Sequence, residues 1–201
     1  MKTYCFDFDG TVADTIPLVI KTLDSLLQKS GEDEISDRIL RKIREEGVEE
    51  VFRDIGVPFY KLVFLYIRIK KEMNGEMAGI VLGEDIKKVL KQLKKEGNTL
   101  GILTSNSKEN VFKFLKSNEL DVFDFINTTG LLGKEKEIKR LTKNRESFLY
   151  IGDEKRDIVA GKKAKVKTAG VTWGLSSKKA LLKVRPDFLL ERPEDILTLP
   201  F

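Results

Sequence analysis

Two aspartates separated by a single residue, Asp7 and Asp9, end a short apolar stretch that begins at Thr3. The stretch predicts a β-strand, and side chains two residues apart on an extended chain point to the same face. Neighbouring carboxylates repel each other, so the pKa of one rises unless a cation keeps both ionised. The pair predicts a site for a hard metal ion with one carboxylate free to react, although the bare pair also fits a strand that runs into a polar turn.

Three further polar groups follow predicted strands in the second half of the chain. They are Thr104, Ser105 and Asn106 after Thr99–Leu103, Lys134 after Phe125–Thr128, and Asp153, Glu154 and Asp157 after Ser147–Ile151. In open parallel sheets ligands bind beyond the carboxyl ends of the strands, so neighbouring strands would gather these side chains into one pocket. Carboxylates there suit Mg²⁺, and a helix N-terminus suits a phosphate. Taken singly, each group also fits a helix cap, a strand-end turn or a surface lysine.

The spacing of apolar residues divides the chain into two kinds of structure. Residues 17–79 carry apolar side chains at three- and four-residue intervals, which predicts helices only, with Ser30–Gly31 as one helix end. From residue 80 onwards short apolar strands alternate with amphipathic helices, which predicts a parallel sheet covered on both faces. The prediction is a doubly wound α/β core of residues 1–16 and 80–201 with an inserted all-helical domain, residues 17–79.

The composition is that of a globular protein rich in surface charge, with 41% hydrophobic and 34% charged residues among 201. The absence of histidine excludes Ser-His-Asp triads and His-ligated zinc, so acid–base chemistry must fall to carboxylates, lysines, tyrosines or the single cysteine. That cysteine, Cys5, is predicted to be buried.

Charge and hydropathy narrow the choice of partners and location. The net charge of +5 is spread along the chain, and no nucleic-acid-binding motif accompanies it. Neither a signal peptide nor an apolar run of the ~20 residues that a membrane span needs is visible. We therefore expect a cytoplasmic protein that binds neither nucleic acid nor membrane.

Taken in order, the polar groups resemble the motifs of the haloacid dehalogenase (HAD) superfamily of phosphatases, and most closely its phosphoglycolate-phosphatase-like branch. Asp7–Thr15 is similar to the first motif of the family, and Leu103–Asn106 is similar to the second. Gly133–Lys134 resembles the third motif, although the branch often has proline where this chain has Glu135. Gly152–Asp157 resembles the fourth motif.

The resemblance implies a Rossmann-like core, a helical cap and a Mg²⁺-dependent phosphatase acting on a small phosphorylated metabolite. Asp7 would be the nucleophile that forms an aspartyl-phosphate, and Asp9 the general acid and base. The metal would be held by Asp7, by Asp9 through its backbone carbonyl, and by Asp153. The phosphate-binding residues would be Thr104, Ser105, Asn106 and the catalytic Lys134, with Thr11, Glu154 and Asp157 in supporting roles.

Several alternatives stay open from the sequence. Lys136 competes with Lys134 as the phosphate-binding lysine, and both a monomer and a homodimer fit. A sugar-phosphate mutase of the same superfamily would share the core residues, and a non-catalytic binding protein on the same fold is the alternative from another class. The cap would recognise the leaving group, with candidate cations Arg44, Arg53, Lys61 and Arg68. The cap aromatics are expected to form mostly cap core: Phe52, Phe59, Tyr60, Phe64 and Tyr66.

Overall fold

A six-stranded parallel sheet forms the centre of the protein. The computed structural model describes residues 2–29, 37–130, 133–143, 145 and 147–201. The strands run in the order β3-β2-β1-β4-β5-β6, and every neighbouring pair is parallel. Their bounds are β1 Thr3–Phe6, β2 Thr99–Thr104, β3 Phe125–Thr128, β4 Phe148–Gly152, β5 Lys167–Val171 and β6 Phe188–Leu190. The order reverses between β1 and β4, which is the switch point at which doubly wound sheets bind ligands.

The helices fall into two groups, as the apolar spacing predicts. Within the described ranges, those between β1 and β2 are α1 Ile16–Lys29, α2 Asp37–Glu46, α3 Val48–Asp54, α4 Phe59–Met73 and α5 Glu84–Lys95. Those that alternate with the later strands are α6 Lys108–Ser117, α7 Lys134–Thr142, α8 Lys155–Lys163 and α9 Lys178–Lys183. Short 3₁₀ turns cover Met77–Gly79 and Pro193–Thr198. The described part of residues 17–79 holds no strand, whereas the predicted helix end at Ser30–Gly31 lies outside the described residues.

Alternate residues of β1 enter two separate apolar clusters, one on each face of the sheet. Tyr4 and Phe6 belong to the larger cluster, which includes Leu90 of α5 and Phe114 of α6. Cys5 belongs to the other cluster, with Ile138 and Leu141 of α7. Each fully buried apolar side chain contributes about 1.5–3 kcal/mol, so helices on both faces hold the central strand in place. The predicted burial of Cys5 is confirmed.

The start of α8 and the existence of α9 differ from the sequence prediction. Apolar spacing predicts a helix over Ile158–Ala164, but α8 begins three residues earlier, at Lys155, because the Glu154 and Asp157 side chains form a reciprocal capping box. α9 was not predicted; it begins after Ser177, whose hydroxyl accepts a hydrogen bond from the Ala180 N–H. In both places side-chain capping, not apolar spacing, sets the helix start.

The aromatic side chains of the inserted helices were predicted to form mostly the core of that helical domain, and this was wrong for three of them. Phe59, Tyr60 and Phe64 are 45%, 60% and 70% exposed. Phe52 and Tyr66 instead line the cavity described below. None of the helices in the described ranges is both long and apolar enough to cross a membrane.

Candidate active site

A tight turn directly after β1 places the first two aspartates of the site. The strand ends at Phe6, and the Asp7 N–H continues its pairing with β4 by donating to the Ile151 carbonyl at 2.7 Å. The Phe8 carbonyl then accepts the N–H groups of residues 11–13, which closes the turn. Gly10 adopts φ +73°, and a Cβ there would lie 2.4 Å from Asp153 Oδ2. Glycine is therefore required both by the backbone and by the close approach of a carboxylate.

Lys134, the first residue of α7, lies between two buried carboxylates. Its Nζ is 2.7 Å from Asp7 Oδ2 and 2.5 Å from Asp157 Oδ1. Burial alone would lower the pKa of Lys134, but the Asp157 and Asp7 charges raise it well above its usual value. Lys136, the competing lysine, is exposed. The structure therefore brings Lys134, and not Lys136, to Asp7.

Asp153, directly after β4, faces Asp7 across the switch point. Its Oδ1 accepts a hydrogen bond from the Thr11 hydroxyl at 3.0 Å, and its Oδ2 accepts one from the Leu175 N–H at 2.7 Å. Oxygens of Asp7, Asp153 and Asp157 lie within 4.8 Å of one another. Asp157 uses one oxygen for Lys134 and the other for the Glu154 N–H. It therefore orients the lysine and caps α8.

The negative charge of the gathered carboxylates makes this cluster a suitable cation site. Asp7 Oδ1 is buried and accepts no hydrogen bond from the described residues. Burial raises the pKa of Asp7 to about 7, although Lys134 opposes that shift. Burial also raises the pKa of Asp153 well above its usual value, and the charges of Glu154 and Asp157 add to this effect. A divalent cation would supply the missing charge, and Mg²⁺ prefers such oxygen ligands.

Asp9 is held by side chains on two sides. The Thr15 hydroxyl donates to Asp9 Oδ1 at 2.8 Å, and Asn106 Nδ2 lies 2.9 and 3.0 Å from the two carboxylate oxygens. Asn106 is in turn oriented by Asn110, whose Nδ2 donates to Asn106 Oδ1 at 3.0 Å. The sequence assigned Asn106 to phosphate binding, and in the structure its amide contacts the second aspartate.

The two residues before Asn106 have different surroundings. Thr104 is fully buried, and its hydroxyl accepts the Asn106 N–H at 2.9 Å, which holds the turn after β2. Ser105 lines the cavity, and its hydroxyl contacts the hydroxyl of Tyr66 from α4. Of the predicted pair of hydroxyls, the Ser105 hydroxyl is the one beside the cavity.

A cavity of about 130 Å³ separates these polar side chains from the inserted helices. On the sheet side it is lined by Asp7, Asp9, Ser105, Asn106 and Asp153. Glu154 and Arg156, which form an ion pair with each other, also line this side. Its other walls are mostly apolar side chains of α1–α4: Ile16, Val19, Ile20, Leu40, Ile43, Val48, Phe52, Leu62, Leu65, Ile69 and Met73. The helices α1–α4 thus cover the carboxylates across this cavity, and we call these four helices the lid below.

The cation that the lid brings to the cavity is one that sequence reasoning missed. Arg53, Lys61 and Arg68 are exposed. Arg44 donates to the Leu175 and Gly174 carbonyls at 3.1 and 3.2 Å, so it contacts a loop of the core. Lys70 lines the cavity instead. Its spacing of four and eight residues from the cavity residues Tyr66 and Leu62 is the signal that could have identified it.

Comparison with known proteins agrees with this geometry. The family model described as haloacid dehalogenase-like hydrolase matches residues 4–171. A phosphoglycolate phosphatase from Synechococcus elongatus is 29% identical over 203 residues, covering 98% of this chain and 96% of its own length. The pyrophosphatase PpaX from Listeria welshimeri is 31% identical over 211 residues, covering 99% of this chain and 96% of its own length.

Solved structures lead to the same family. A haloacid dehalogenase-like hydrolase from Bacteroides fragilis superposes with a TM-score of 0.79 at 26% identity, covering 97% of this chain and 99% of that one. The family match spans β1 to β5 and includes every carboxylate of the cluster described above. The chain therefore belongs to the haloacid dehalogenase-like hydrolase family, and within that family it is a phosphatase.

Proposed function

We propose that this protein hydrolyses a small phosphorylated metabolite through an aspartyl-phosphate on Asp7, with Mg²⁺ as its cofactor. The observation that supports this most strongly is the state of the Asp7 carboxylate. Lys134 engages its Oδ2, while Oδ1 is buried beside the cavity and accepts no hydrogen bond from the described residues. A carboxylate with one anchored and one free oxygen is suited to nucleophilic attack.

In the first step an Asp7 oxygen attacks phosphorus, and the bond from phosphorus to the leaving-group oxygen breaks. Asp9 acts as the general acid and gives a proton to the departing oxygen. The Asn106 and Thr15 hydrogen bonds hold Asp9 beside the cavity for this transfer. Acid–base assistance of this kind contributes typically ~10²–10⁴-fold to the rate.

In the second step water attacks the aspartyl-phosphate. Asp9, now a carboxylate, takes a proton from that water, and the bond between phosphorus and the Asp7 oxygen breaks to release inorganic phosphate. Lys134 balances the charge of the Asp7 carboxylate that is restored. Mg²⁺ held by Asp7, Asp153 and the Asp9 carbonyl would supply positive charge against the phosphoryl oxygens.

The two named relatives indicate the size and charge of the substrate. One is named for phosphoglycolate and the other for pyrophosphate. Both are small, and in both the group that leaves carries a negative charge of its own. We propose the same kind of substrate here, with the lid excluding water and recognising the leaving group.

A phosphate-release screen over small phosphorylated metabolites, with and without Mg²⁺, tests the proposal. We expect Mg²⁺-dependent release from at least one of them, and none from the Asp7→Asn variant, which keeps the volume of the side chain. Undiminished turnover by Asp7→Asn would contradict the proposal. Isomerisation of a phosphorylated sugar without net phosphate release would assign the same residues to a mutase.

A further inference from the structure

Lys70 of α4 brings a positive charge into the cavity from the lid. It lines the cavity together with Asp7 and Asp9 of the opposite wall. Within the described ranges no carboxylate lies at ion-pair distance from its Nζ, and the ammonium donates no hydrogen bond. The lid therefore presents the cavity with a cation that has no anionic partner among the described residues.

An aromatic ring fixes the position of this cation. Lys70 Nζ lies 3.9 Å from the centroid of the Tyr66 ring, and the Arg156 guanidinium lies 6.0 Å from the same centroid. Arg156 is already paired with Glu154, whereas Lys70 is not paired within the described residues. The Tyr66 hydroxyl contacts Ser105, so the ring connects Lys70 to the loop that follows β2. Lys70 is thus positioned beside the predicted phosphate-binding residues.

A half-buried ammonium without an anionic partner is unfavourable. Burial lowers the pKa of Lys70 to about 7; Asp9 opposes that shift, and the charge of Arg156 adds to it. An anion brought by a ligand would favour the charged form, because an opposite charge at close range raises the pKa of a lysine. A negatively charged ligand would therefore supply the anionic partner that the Lys70 ammonium lacks among the described residues.

The size of the cavity limits what that ligand can be. A single water needs ~10–15 Å³ of cavity volume, so a cavity of about 130 Å³ has room for on the order of ten waters. Once a phosphoryl group occupies the carboxylate side, only a small leaving group fits beneath the lid. The side chains that the lid contributes to the cavity are mostly apolar, and Lys70 is the positively charged one among them in the described residues.

We infer that Lys70 binds a second acidic group carried by the leaving group, and thereby selects small substrates with two anionic groups. The substrate class is a small molecule that carries a phosphoryl group and, a few bonds away, either a carboxylate or a second phosphoryl group. This inference rests on the proposed function, because it places the transferred phosphoryl group at Asp7. Lys70 binds the substrate and takes no part in proton transfer.

The test compares wild type with Lys70→Met on three probes in the presence of Mg²⁺. The probes are 2-phosphoglycolate, pyrophosphate and ethyl phosphate, whose leaving groups carry a carboxylate, a phosphate and no charge. For the acidic probe that wild type prefers, Lys70→Met should lower kcat/KM by about 10- to 100-fold, mainly through KM. For ethyl phosphate, kcat/KM should change by less than about twofold, because its leaving group carries no charge for Lys70 to bind. Preference for one acidic probe identifies which anion Lys70 binds.

Two variants serve as controls. Lys71→Met removes an exposed lysine one position along the same helix, and all three rates should stay as in wild type. Lys70→Arg keeps the charge and should restore part of the preference for the acidic probe. Thermal unfolding of each variant checks that the fold is retained.

Binding gives the same comparison without turnover. Each probe is titrated calorimetrically into Asp7→Asn with and without Lys70→Met. An equal loss of affinity for acidic and uncharged probes, or no loss for the acidic ones, would overturn the role of Lys70. Failure of wild type to release phosphate from these probes and from every metabolite of the screen would instead overturn the proposed function, while the titration still decides the role of Lys70.

Discussion

At the residue scale, the site contains three buried acids, two of which share one lysine. Lys134 contacts Asp7 and Asp157 at the same time, and the third acid, Asp153, is held by neutral donors. A buried ion pair that loses one partner is destabilised by about 3–5 kcal/mol, because the other charge stays buried and uncompensated. We therefore expect Lys134 to stabilise the fold, in addition to its role in the proposed catalysis.

We predict different outcomes for the two lysines at the start of α7. Lys134→Met should lower kcat by about 10²–10³-fold, since it removes a fixed positive charge beside the reacting carboxylate. Lys136→Met removes an exposed lysine of the same helix and should leave kcat within about twofold. Steady-state kinetics of both variants, with urea unfolding as the check on folding, make the comparison. A large loss at Lys136 with none at Lys134 would contradict this assignment.

Most of the gathered side chains were predictable because each follows a strand. Asp7, Asp153 and Ser105 could be placed from sequence, since the carboxyl ends of neighbouring parallel strands meet at one edge. The hydrogen bonds of Asn106 to Asp9 could not, because they depend on the turn geometry after two separate strands. Lys70 was missed because its importance depends on the opposite wall of the cavity, whose residues lie at least 35 positions away in sequence.

At the element scale, α2 is connected through one loop to the edge of the sheet that carries the buried carboxylates. Arg44 donates to the carbonyls of Gly174 and Leu175, and the Leu175 N–H donates to Asp153. Gly174 must be glycine here, because a Cβ would lie 2.2 Å from Asp153 Cβ. The lid and the proposed metal ligand thus hold opposite sides of the same short segment.

We predict that Arg44→Ala raises the Mg²⁺ concentration needed for half-maximal activity by about three- to tenfold. The reason is that the loop loses two hydrogen bonds, each of which contributes about 1 kcal/mol, and holds Asp153 less firmly. Arg41→Ala, at an exposed position of the same helix, is the matched control and should behave as wild type. Identical Mg²⁺ titrations for Arg44→Ala and wild type would show that the loop holds Asp153 without the hydrogen bonds from Arg44.

Helix and strand positions followed closely from apolar spacing, and the exceptions have local causes. α2, α3 and α4 lie in the segment predicted to be helical, and their ends carry glycine, proline or asparagine signals. α8 starts early because of its capping box, which the sequence carries but apolar spacing does not show. The exposed aromatics of α4 were predicted as core because spacing alone does not say which face of a helix is covered.

At the scale of the whole molecule, the lid and the α/β part share one apolar cluster. Leu18 of α1 and Met73 of α4 belong to the same buried cluster as Phe8 and Phe114. The division of the sequence into residues 17–79 and the flanking core stays a prediction. A shared cluster nevertheless implies that the two parts support each other energetically.

We therefore predict one cooperative unfolding transition. Calorimetry should give a single peak, with equal calorimetric and van't Hoff enthalpies. Met73→Ala, which leaves a cavity in the shared cluster, should destabilise the protein by about 2–5 kcal/mol and lower Tm without splitting the peak. Two resolved transitions would show that the lid unfolds by itself.

The central claim is that Asp7 becomes phosphorylated during turnover. Wild type and Asp9→Asn are mixed with a hydrolysed substrate and Mg²⁺, quenched in acid within the first turnovers, and digested for mass spectrometry. We predict a phosphoryl group on Asp7. With a substrate whose leaving group departs without a proton, its occupancy should be higher in Asp9→Asn, because hydrolysis of the intermediate then lacks its base while its formation does not need the acid. A phosphoryl group on another residue, or none on Asp7 in either protein while phosphate is released, would contradict the account.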